Sequence, residues 1–585
     1  MSSTNGLVDP HLRFRIPTKP RFLPLSCSSS RRGPTLLSQA QARQGQTCLL
    51  VLEADLDSDP DAVEYISLSL SPENMAFAVG GEWGNIDHPT IKQAMARPDW
   101  ETFRLALEVE LAVLDAMKTY KARLVARGNR QINGINYDET HSSTVRLTTV
   151  RLIYALLARH PNWRLLQFNV TSAYLHGLLD HEIYIQQPPG SEDPNFPRRV
   201  LRLQRALYGL EQGRREWQKV FREELEKLGF KRCEADHGLY VRKREGKVAL
   251  VPTHVNDGLM VGDDDLDGIL DELNEAFEGK FKREDDGLFL GMRVKRKEDG
   301  GVAIDQGHYA ASVLERFEFD KLDPVSTLID YSAPLPTPAT ADERLDVPYR
   351  ELLGALVWLS SCTRPDLAFA VSVASRYSSC PAERQWALLE RVCRYIAGTL
   401  NHGLLSTPSA TNKPFSPDHL SGWSDSNHAA DKGSRRSVSG FVFCIGDDFF
   451  IFTAICWSSR RQRSVAISST EAEYMALLEA AREAVWLRQL LAEVGFSPSS
   501  PTLIRGNNFG ALLLANHPTS HGRTKHIAVH YHFTRECVED GVVELKWVPT
   551  EEMSADLMTK GLGQAKHILF LKKCRLVDCR RKEGC

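Results

Sequence analysis

From about residue 88 onward, segments with the apolar spacing of helices alternate with short strand-like runs, and two proline-rich stretches interrupt this pattern. The stretches, residues 322–348 and 408–417, are typical of linkers between folded units. At ~150 residues per domain, the 585 residues are enough for three or four domains. The pattern predicts at least three units of mixed α and β structure, and it excludes a coiled-coil rod or a collagen-like fibre.

The spacing of apolar residues predicts individual elements. Helices are expected at residues 100–117, 148–160, 349–400 and 470–494, and strands at residues 165–170, 248–261, 420–445 and 502–504. A tight turn at Asn256 and Asp257 is expected to divide the second strand region into a hairpin. Residues 447–455 would add an apolar stretch at a sheet edge, which is an aggregation hazard.

Charge is segregated near the N-terminus. Residues 1–50 carry seven basic side chains and one acid, whereas residues 51–87 carry nine acids and no Lys or Arg. This pattern predicts a mostly disordered leader over residues 1–87. A transit peptide is disfavoured because the prolines would break its helix. Twelve cysteines without a C-x-x-C pair, and a longest apolar run of nine residues, predict a reduced intracellular protein without a membrane span.

Ten short segments follow one another in an informative order: YKARLVARG (120–128), VRLTTVR (145–151), FNVTSAYLHG (168–177), IYIQQP (183–188), LYGLEQ (207–212), YRELLGALV (349–357), CTRPDLAFA (362–370), SSTEAEY (468–474), RTKHI (523–527) and ADLMTK (555–560). None of these strings is decisive alone. Together they resemble the Pol region of copia-type LTR retrotransposons over about residues 88–575. The resemblance implies an RNA-directed DNA polymerase, or reverse transcriptase, with an RNase H domain.

The same resemblance implies a multidomain α+β fold. Its parts are a right-hand polymerase palm (a ferredoxin-like antiparallel sheet with helices) with partial fingers, a helical connection and an RNase H-like α/β domain. The expected units are the leader 1–87, fingers and palm 88–290 with the fingers truncated near 115–120, thumb and connection 291–417, RNase H-like domain 418–565, and a basic, cysteine-containing tail 566–585. The implied partners are an RNA template, a DNA primer, an RNA–DNA hybrid and dNTPs, in a cytoplasmic particle or the nucleus, with no membrane. The oligomeric state is left open.

In this family, three palm aspartates hold two Mg²⁺ or Mn²⁺ ions, which stabilise the attacking 3′ oxygen and the leaving pyrophosphate. The motifs assign these positions to Asn169, Asn256 and Asp257, so Asp257 alone keeps a carboxylate. Asparagine has nearly the shape of aspartate but lacks the charge that holds a hard cation. Taken alone, Asn256 and Asp257 are ordinary turn residues. The flanking motifs assign their position, and the substitutions predict an inactive polymerase centre.

The resemblance also implies substrate contacts. Lys121, Arg123 and Arg127 would contact phosphates of the incoming triphosphate or the template, and Gln212 would lie near the incoming nucleotide. The alternative for the three cations is a solvated strand face. Beside Gln212, Glu211 replaces the family lysine and would repel a phosphate. The family's fingers hairpin has no counterpart between residues 114 and 120, which predicts the loss of one strand pair.

Four further carboxylate positions map to the RNase H-like domain, namely Asp425, Glu473, Asn507 and Asp556. The resemblance implies that they surround two metal ions. The three surviving acids join Asp257 as predicted metal ligands. Glu473 has a second explanation, because Thr470-x-x-Glu473 has the form of a helix capping box, as does Ser468-x-x-Glu471.

Four asparagines stand where the family usually has aspartate, namely Asn169, Asn256, Asn427 and Asn507. Each exchange requires one G-to-A transition, so the shared type indicates a biased mutational process acting on repeated DNA. The sequence therefore predicts a catalytically degenerate copia-type reverse transcriptase with an RNase H domain. The alternatives are a domesticated nucleic-acid-binding protein without polymerase chemistry, a residual RNase H, and a translated pseudogene. Hybrid binding with a steep salt dependence and no turnover would favour the first alternative.

Overall fold

The structure, a computed structural model, describes residues 48–54, 65–68, 120–188, 192–284, 287–329, 336–408, 415–448, 451–516 and 532–580. No helix within these ranges is long and apolar enough to cross a membrane. The α-helices of the described ranges are α1 (Leu147–Arg159), α2 (Gly213–Lys227), α3 (Leu266–Ala276), α4 (Gly307–Arg316), α5 (Tyr349–Cys362), α6 (Ala368–Ser375), α7 (Glu383–Gly398), α8 (Ser469–Glu493), α9 (Phe509–Asn516), α10 (His532–Glu539) and α11 (Gln564–Lys573).

The most N-terminal sheet has three antiparallel strands, β1 (Cys48–Ala54), β2 (Tyr65–Leu68) and β3 (Tyr120–Ala126), in the order β2-β1-β3. Two stretches of the expected disordered leader are therefore strands, and the expectation of disorder is wrong for them. Local charge segregation could not reveal the long-range pairing of β1 with β3. The helix expected at 100–117 and the shortened segment near 115–119 lie outside the described residues.

The largest sheet is antiparallel and contains β4 (Arg164–Val170), β7 (Lys231–Arg232), β8 (Leu239–Arg244), β9 (Lys247–His254), β10 (Asp257–Gly262) and β11 (Phe281–Glu284), in the order β11-β4-β10-β9-β8-β7. Side chains alternate between its two faces. Phe168 contacts Phe221 of α2 on one face, and α1 packs on the other. The helix expected at 148–160 and the strand expected at 165–170 are confirmed to within one residue. Two short strands, β5 (Tyr184–Gln186) and β6 (Val200–Arg202), form a separate pair.

A third sheet joins distant parts of the chain. Its strands, in spatial order, are β12 (Leu288–Phe289), β13 (Met292–Arg296), β14 (Val302–Asp305), β15 (His402–Ser406) and β21 (Leu576–Asp578). Both β21 and most of α11 fall in the expected basic tail 566–585, and β21 forms an edge of this sheet. The helical stretch expected at 349–400 consists of α5, α6 and α7, because Pro365 and Pro381 lack the N–H that continues a helix.

The C-terminal sheet contains β16 (Leu420–Asn427), β17 (Val438–Asp448), β18 (Ile451–Arg461), β19 (Thr502–Gly506) and β20 (Val543–Trp547), in the order β18-β17-β16-β19-β20. Strands β16, β19 and β20 are parallel, whereas β17 and β18 are antiparallel to their neighbours. The helix expected at 470–494 is confirmed as α8, which packs on β16 and β17. Gly495 ends it with φ +106°, a conformation that favours glycine.

The edge strand β18 is covered by the rest of the chain. Arg151 of α1 donates from Nε to the Ile455 carbonyl at 2.7 Å and from Nη1 to the Ser361 carbonyl at 2.6 Å. Trp457 of β18 donates to the Ser360 carbonyl at 2.9 Å, and the Arg151 guanidinium lies 4.0 Å from the centre of the Trp457 ring. At Ile455, within the apolar stretch expected to be a hazard, and at Trp457, β18 therefore contacts α1 and α5, while residues 449–450 lie outside the described residues.

Replacing Arg151 with methionine should lower the free energy of unfolding by about 3 kcal/mol or more, because several buried carbonyls lose their donor at about 1–3 kcal/mol each. The measurement is the urea midpoint of unfolding. Arg244→Met removes the same charge from an exposed position and should leave the midpoint almost unchanged. Equal midpoints for the two variants would contradict the role given to Arg151.

Candidate functional site

The first candidate site lies on two neighbouring strands of the largest sheet. In the register of β4 and β10, Asn169 pairs with Asp257. The side chain of Asn169 donates through Nδ2 to Oδ1 of Asp257, and Asn256 donates through Nδ2 to Oδ1 of Asn169 at 3.3 Å. The structure therefore brings together all three residues that the motifs assigned to the palm.

The turn that carries Asn256 differs from the expected one. Strand β9 ends at His254 and β10 begins at Asp257, so the turn residues are Val255 and Asn256 rather than Asn256 and Asp257. Val255 has φ +62°, a conformation that is costly for a β-branched residue. Its carbonyl accepts a hydrogen bond from Nε1 of buried Trp217 at 2.7 Å, which holds the strained turn in place.

The electrostatics of the first site are those of a single, partly buried carboxyl group. Burial raises the pKa of Asp257, against the opposing effect of the hydrogen bond from Asn169. Burial also lowers the pKa of His254, and the charge of Arg214 adds to that effect. The Asn169 amide presents a donor where a divalent cation needs an anionic oxygen. These residues therefore do not fit a centre for two metal ions.

The predicted substrate-contacting segments are brought together in part. The backbone N–H of Ala126 donates to the Tyr208 carbonyl at 2.7 Å, which joins the YKARLVARG segment to the LYGLEQ segment. Arg127 is buried, and burial together with a neighbouring arginine lowers its pKa. Lys121 and Arg123 lie on β3. The contacts of these three residues with phosphate stay predictions.

Gln212 has an internal role in this conformation. Its side chain is 4% exposed, its Nε2 donates to the Asn136 carbonyl at 3.1 Å, and its Oε1 accepts from Nε2 of Gln131 at 3.0 Å. Oε1 of Gln131 in turn accepts from the backbone N–H of Glu211 at 2.9 Å. These bonds fasten the loop after β3 to the start of α2. A nucleotide would have to break them to reach the Gln212 amide.

The second candidate site lies at one end of the parallel strands of the C-terminal sheet. Asp425 is near the end of β16, and Asn507, directly after β19, donates through Nδ2 to Oδ1 of Asp425 at 3.2 Å. Asp556 lies on a 3₁₀ turn that follows β20. Glu473 approaches from α8, and the backbone N–H of Ser426 donates to its carboxylate. The four positions expected for the RNase H-like domain therefore converge.

Helix capping does not explain Glu473. The N-cap of α8 is Ser468, whose Oγ accepts from the backbone N–H of Glu471 at 3.1 Å. Oε2 of Glu471 accepts from the backbone N–H of Ile467 at 2.8 Å. Glu471 thus serves the cap, and Glu473 is buried beside the other acids.

Two buried carboxyl groups at the second site, those of Glu473 and Asp425, have raised pKa values. Burial and the nearby carboxylate of Asp425 raise the pKa of Glu473 to about 9, so this carboxyl is neutral at pH 7. Burial also raises the pKa of Asp425, whereas the Lys560 ammonium and the Thr559 hydroxyl act in the opposite direction. The site therefore holds fewer negative charges than its number of acids suggests.

Glu473→Gln should be more stable than the unmodified chain, and the difference should grow from about pH 5 to about pH 9. The folded-state pKa of about 9 exceeds the ordinary value of 4.5, so the folded chain keeps a proton that the unfolded chain releases. Stability is then lost as the pH rises between these values, and glutamine has no proton to lose. Urea midpoints in EDTA, with exposed Glu544→Gln as control, measure the effect. A difference that shrinks with pH would contradict it.

Sequence reasoning missed two lysines at the second site. Nζ of Lys560 lies 2.6 Å from Oδ1 of Asp556 and 3.1 Å from Oδ2 of Asp425. Nζ of Lys566 lies 2.5 Å from Oδ2 of Asp556. Lys560 ends the ADLMTK segment four residues after Asp556, and this spacing is a signal for the contact. Lys566 lies in the first turn of α11, and its spacing from Asp556 in the sequence does not predict their contact.

The predicted set of metal ligands, Asp257, Asp425, Glu473 and Asp556, does not fit a metal ion as arranged. Asp257 belongs to the other site, Glu473 is neutral, and the two remaining carboxylates are paired with lysine. Within the part of the chain that the structure describes, no group of three or more His, Cys, Asp or Glu side chains is placed to hold a metal.

Comparisons with known proteins point to one family. The family model described as "Reverse transcriptase (RNA-dependent DNA polymerase)" matches residues 111–330. The "Retrovirus-related Pol polyprotein from transposon RE2" of Arabidopsis thaliana is 35% identical over 464 residues, which cover 79% of this chain and 31% of that protein. The corresponding polyprotein from transposon TNT 1-94 of Nicotiana tabacum is 34% identical over 458 residues, covering 76% and 33%.

This chain thus spans about a third of the length of these relatives. Among solved structures, prototype foamy virus protease–reverse transcriptase aligns with 78% of this chain and 72% of its own, at 11% identity and a TM-score of 0.18.

Proposed function

Because the chain belongs to the copia-type retrotransposon Pol family of reverse transcriptases, we propose that it is the polymerase and RNase H part of such a polyprotein and that its polymerase centre no longer works. The observation that carries the proposal is the hydrogen bond from the Asn169 amide to Asp257, the one carboxylate of the three palm positions. Primer extension on an RNA template tests it, and no extension is expected.

Loss of the chemistry is compatible with a preserved scaffold. Asparagine is nearly isosteric with aspartate, and replacing crowded carboxylates with amides reduces repulsion between like charges. The register that pairs Asn169 with Asp257 and the Trp217 contact that holds the turn both persist. We assign the largest sheet to the palm on this basis. The expected location, a cytoplasmic particle or the nucleus, is part of the same proposal.

The chemistry of the family explains why the palm substitutions matter. Reverse transcriptases and RNases H use divalent metal ions to stabilise the charge that develops during phosphoryl transfer. One carboxylate beside two amides gives such ions too few anionic oxygens.

A second candidate function, residual cleavage of RNA in a hybrid, is favoured by the C-terminal sheet. Asp425, Glu473 and Asp556 converge there, although Asn507 replaces the fourth acid. The activity proposed for this site is hydrolysis of the RNA strand, at a rate well below that of a site with four acids.

A third candidate, nucleic-acid binding without turnover, is favoured by a basic rim, which consists of Lys432, Arg435, Arg460 and Arg463. These side chains are exposed, and none forms an ion pair with another described residue. The strand register places the loop before β17 and the end of β18 at the same end of the sheet as Asn427, two residues from Asp425. Exposed cations suit a phosphate backbone, and two of them, Arg460 and Arg463, also act on the charge of the Glu479 carboxyl.

Fluorescence anisotropy of a labelled RNA–DNA hybrid tests this candidate. Binding that weakens steeply with salt is expected, and Arg460→Gln with Arg463→Gln should make the salt dependence shallower. Arg244→Gln, an exposed change on the largest sheet, is the control. Hybrid binding that is independent of salt would contradict a role for the rim.

A further inference from the structure

Each carboxylate oxygen of Asp425 and Asp556, the two aspartates of the second site, accepts a hydrogen bond from the chain. Oδ1 of Asp425 accepts from Asn507 and Lys560, and its Oδ2 accepts from Thr559. In Asp556, Oδ1 accepts from Lys560 at 2.6 Å and Oδ2 from Lys566 at 2.5 Å. Donors of the chain itself therefore satisfy all four oxygens.

The ammonium of Lys560 lies between the two carboxylates, where a shared cation would lie. Lys560 and Lys566 bring two ammonium groups to Asp425 and Asp556, so each of these aspartates already has a cation of the chain beside it. In the family pattern, an acid at position 507 would add one negative charge, but Asn507 adds none. The electrostatic demand for a divalent cation is correspondingly small.

The lysines also lie between the aspartates and solvent. The side chains of Lys560 and Lys566 are 31% and 33% exposed, whereas those of Asp425 and Asp556 are at most 1% exposed. A cation arriving from solvent meets the ammonium groups first. Lys560 also lines a small cavity together with Asp366 and His567.

We propose that Lys560 and Lys566 act as built-in counter-ions that compete with divalent cations for the acid cluster. This inference rests on the proposed descent of the cluster from an RNase H centre. Lys560 has the larger effect because it bridges both aspartates, whereas Lys566 contacts Asp556 alone. These lysine–aspartate contacts are autoinhibitory, because they exclude a metal ion until the lysines are displaced.

Titration of the full chain with Mn²⁺, followed by the electron paramagnetic resonance signal of the free ion, tests the proposal. Lys560→Met should lower the Kd for Mn²⁺ at least about tenfold, because a like charge within ~4 Å of the ion is removed. Lys566→Met should have a smaller effect in the same direction. Lys572→Met removes an exposed lysine of the same helix α11 and should change nothing. Equal Mn²⁺ binding by Lys560→Met and Lys572→Met would overturn the proposal.

Stability provides a readout that a merely structural lysine would not give. In EDTA, Lys560→Met should unfold at a lower urea concentration than the unmodified chain, because buried Asp425 loses its ammonium partner and buried Asp556 keeps only Lys566. Mn²⁺ should restore its midpoint, while leaving that of the unmodified chain almost unchanged. A midpoint that Mn²⁺ does not restore would contradict competition. If Lys560→Met does not fold, Lys560→Gln takes its place in both measurements, because glutamine keeps a hydrogen-bond donor to Asp556.

The failure of this inference can be told apart from failure of the proposed function. Cleavage of a hybrid by the Asn507→Asp variant concerns the ancestry of the site and does not require that the lysines compete with metal. If that variant cleaves and the Lys560 variants bind Mn²⁺ like the control, the inference alone is wrong.

Discussion

The Asn169→Asp/Asn256→Asp variant is expected to add nucleotides to a primer in Mg²⁺ at least about a thousandfold faster than the unmodified chain. Stabilisation of the charge that develops at the transferred phosphoryl group dominates this chemistry. Loss of ~4 kcal/mol of that stabilisation corresponds to roughly a thousandfold in rate. Aspartate at 169 would also replace a donor that now faces Asp257 with an anionic oxygen.

Full recovery by the double variant is not expected. The Gln212 amide is bonded internally to Asn136 and Gln131, and Glu211 places a negative charge beside it. An incoming triphosphate would therefore be held poorly, and positioning contributes much of the rate enhancement of such enzymes. The fingers need not be the cause, because β1 supplies a neighbour for β3.

Single-nucleotide incorporation on an RNA template measures both expectations. Asn427→Asp is the matched control, since it makes the same exchange in the C-terminal sheet and leaves the palm unchanged. Activity of the double variant equal to that of the control would show that the palm is damaged by more than its missing acids. A rate typical of intact family members would refute the role given to Glu211 and Gln212.

Asn507→Asp is expected to raise Mg²⁺-dependent cleavage of an RNA–DNA hybrid by about tenfold or more. The exchange replaces an amide that donates to Asp425 with a fourth carboxylate, so the cluster gains an anionic ligand. A tenfold change in rate requires only about 1.4 kcal/mol of additional stabilisation. Cleavage of a labelled RNA strand measures the effect.

The chain offers a close control for this experiment. Asn508→Asp makes the same exchange one residue later, where the side-chain oxygen accepts from the backbone N–H of Ala511 and an aspartate can do the same. This control should not cleave faster than the unmodified chain. Adding Glu473→Gln to the Asn507→Asp variant should remove the gain. An unchanged rate in Asn507→Asp would contradict the role given to the missing fourth carboxylate.

Local sequence patterns predicted the helices and strands whose apolar spacing lies within their own residues. The periodicity of α1 and α8 and the apolar run of β4 each placed an element to within about one residue. The family motifs also selected Asn169 and Asp257, which pair in the structure, and the four acid positions of the C-terminal sheet, which converge there. A motif fixes position in the fold, so these assignments did not need tertiary information.

Elements formed by long-range contacts could not be predicted in this way. Pairing of β21 with β15 joins residues about 175 positions apart, and the hydrogen bond from Arg151 to β18 joins residues about 300 positions apart. Neither contact alters local periodicity. The turn at Val255 was misplaced because Asn and Asp favour turns intrinsically, whereas strand register and the Trp217 hydrogen bond decide the turn here. Lys566 was missed for the same reason, since only folding brings it to Asp556.

Prolonged primer extension by the unmodified chain, compared directly with its Asp257→Ala variant, tests the inactive polymerase centre most directly. Both proteins should yield the same background with a primer on an RNA template in Mg²⁺, because a single carboxylate cannot assemble the centre. The double variant Asn169→Asp/Asn256→Asp confirms that the assay detects extension. Extension by the unmodified chain that depends on Mg²⁺ and disappears in Asp257→Ala would contradict the account.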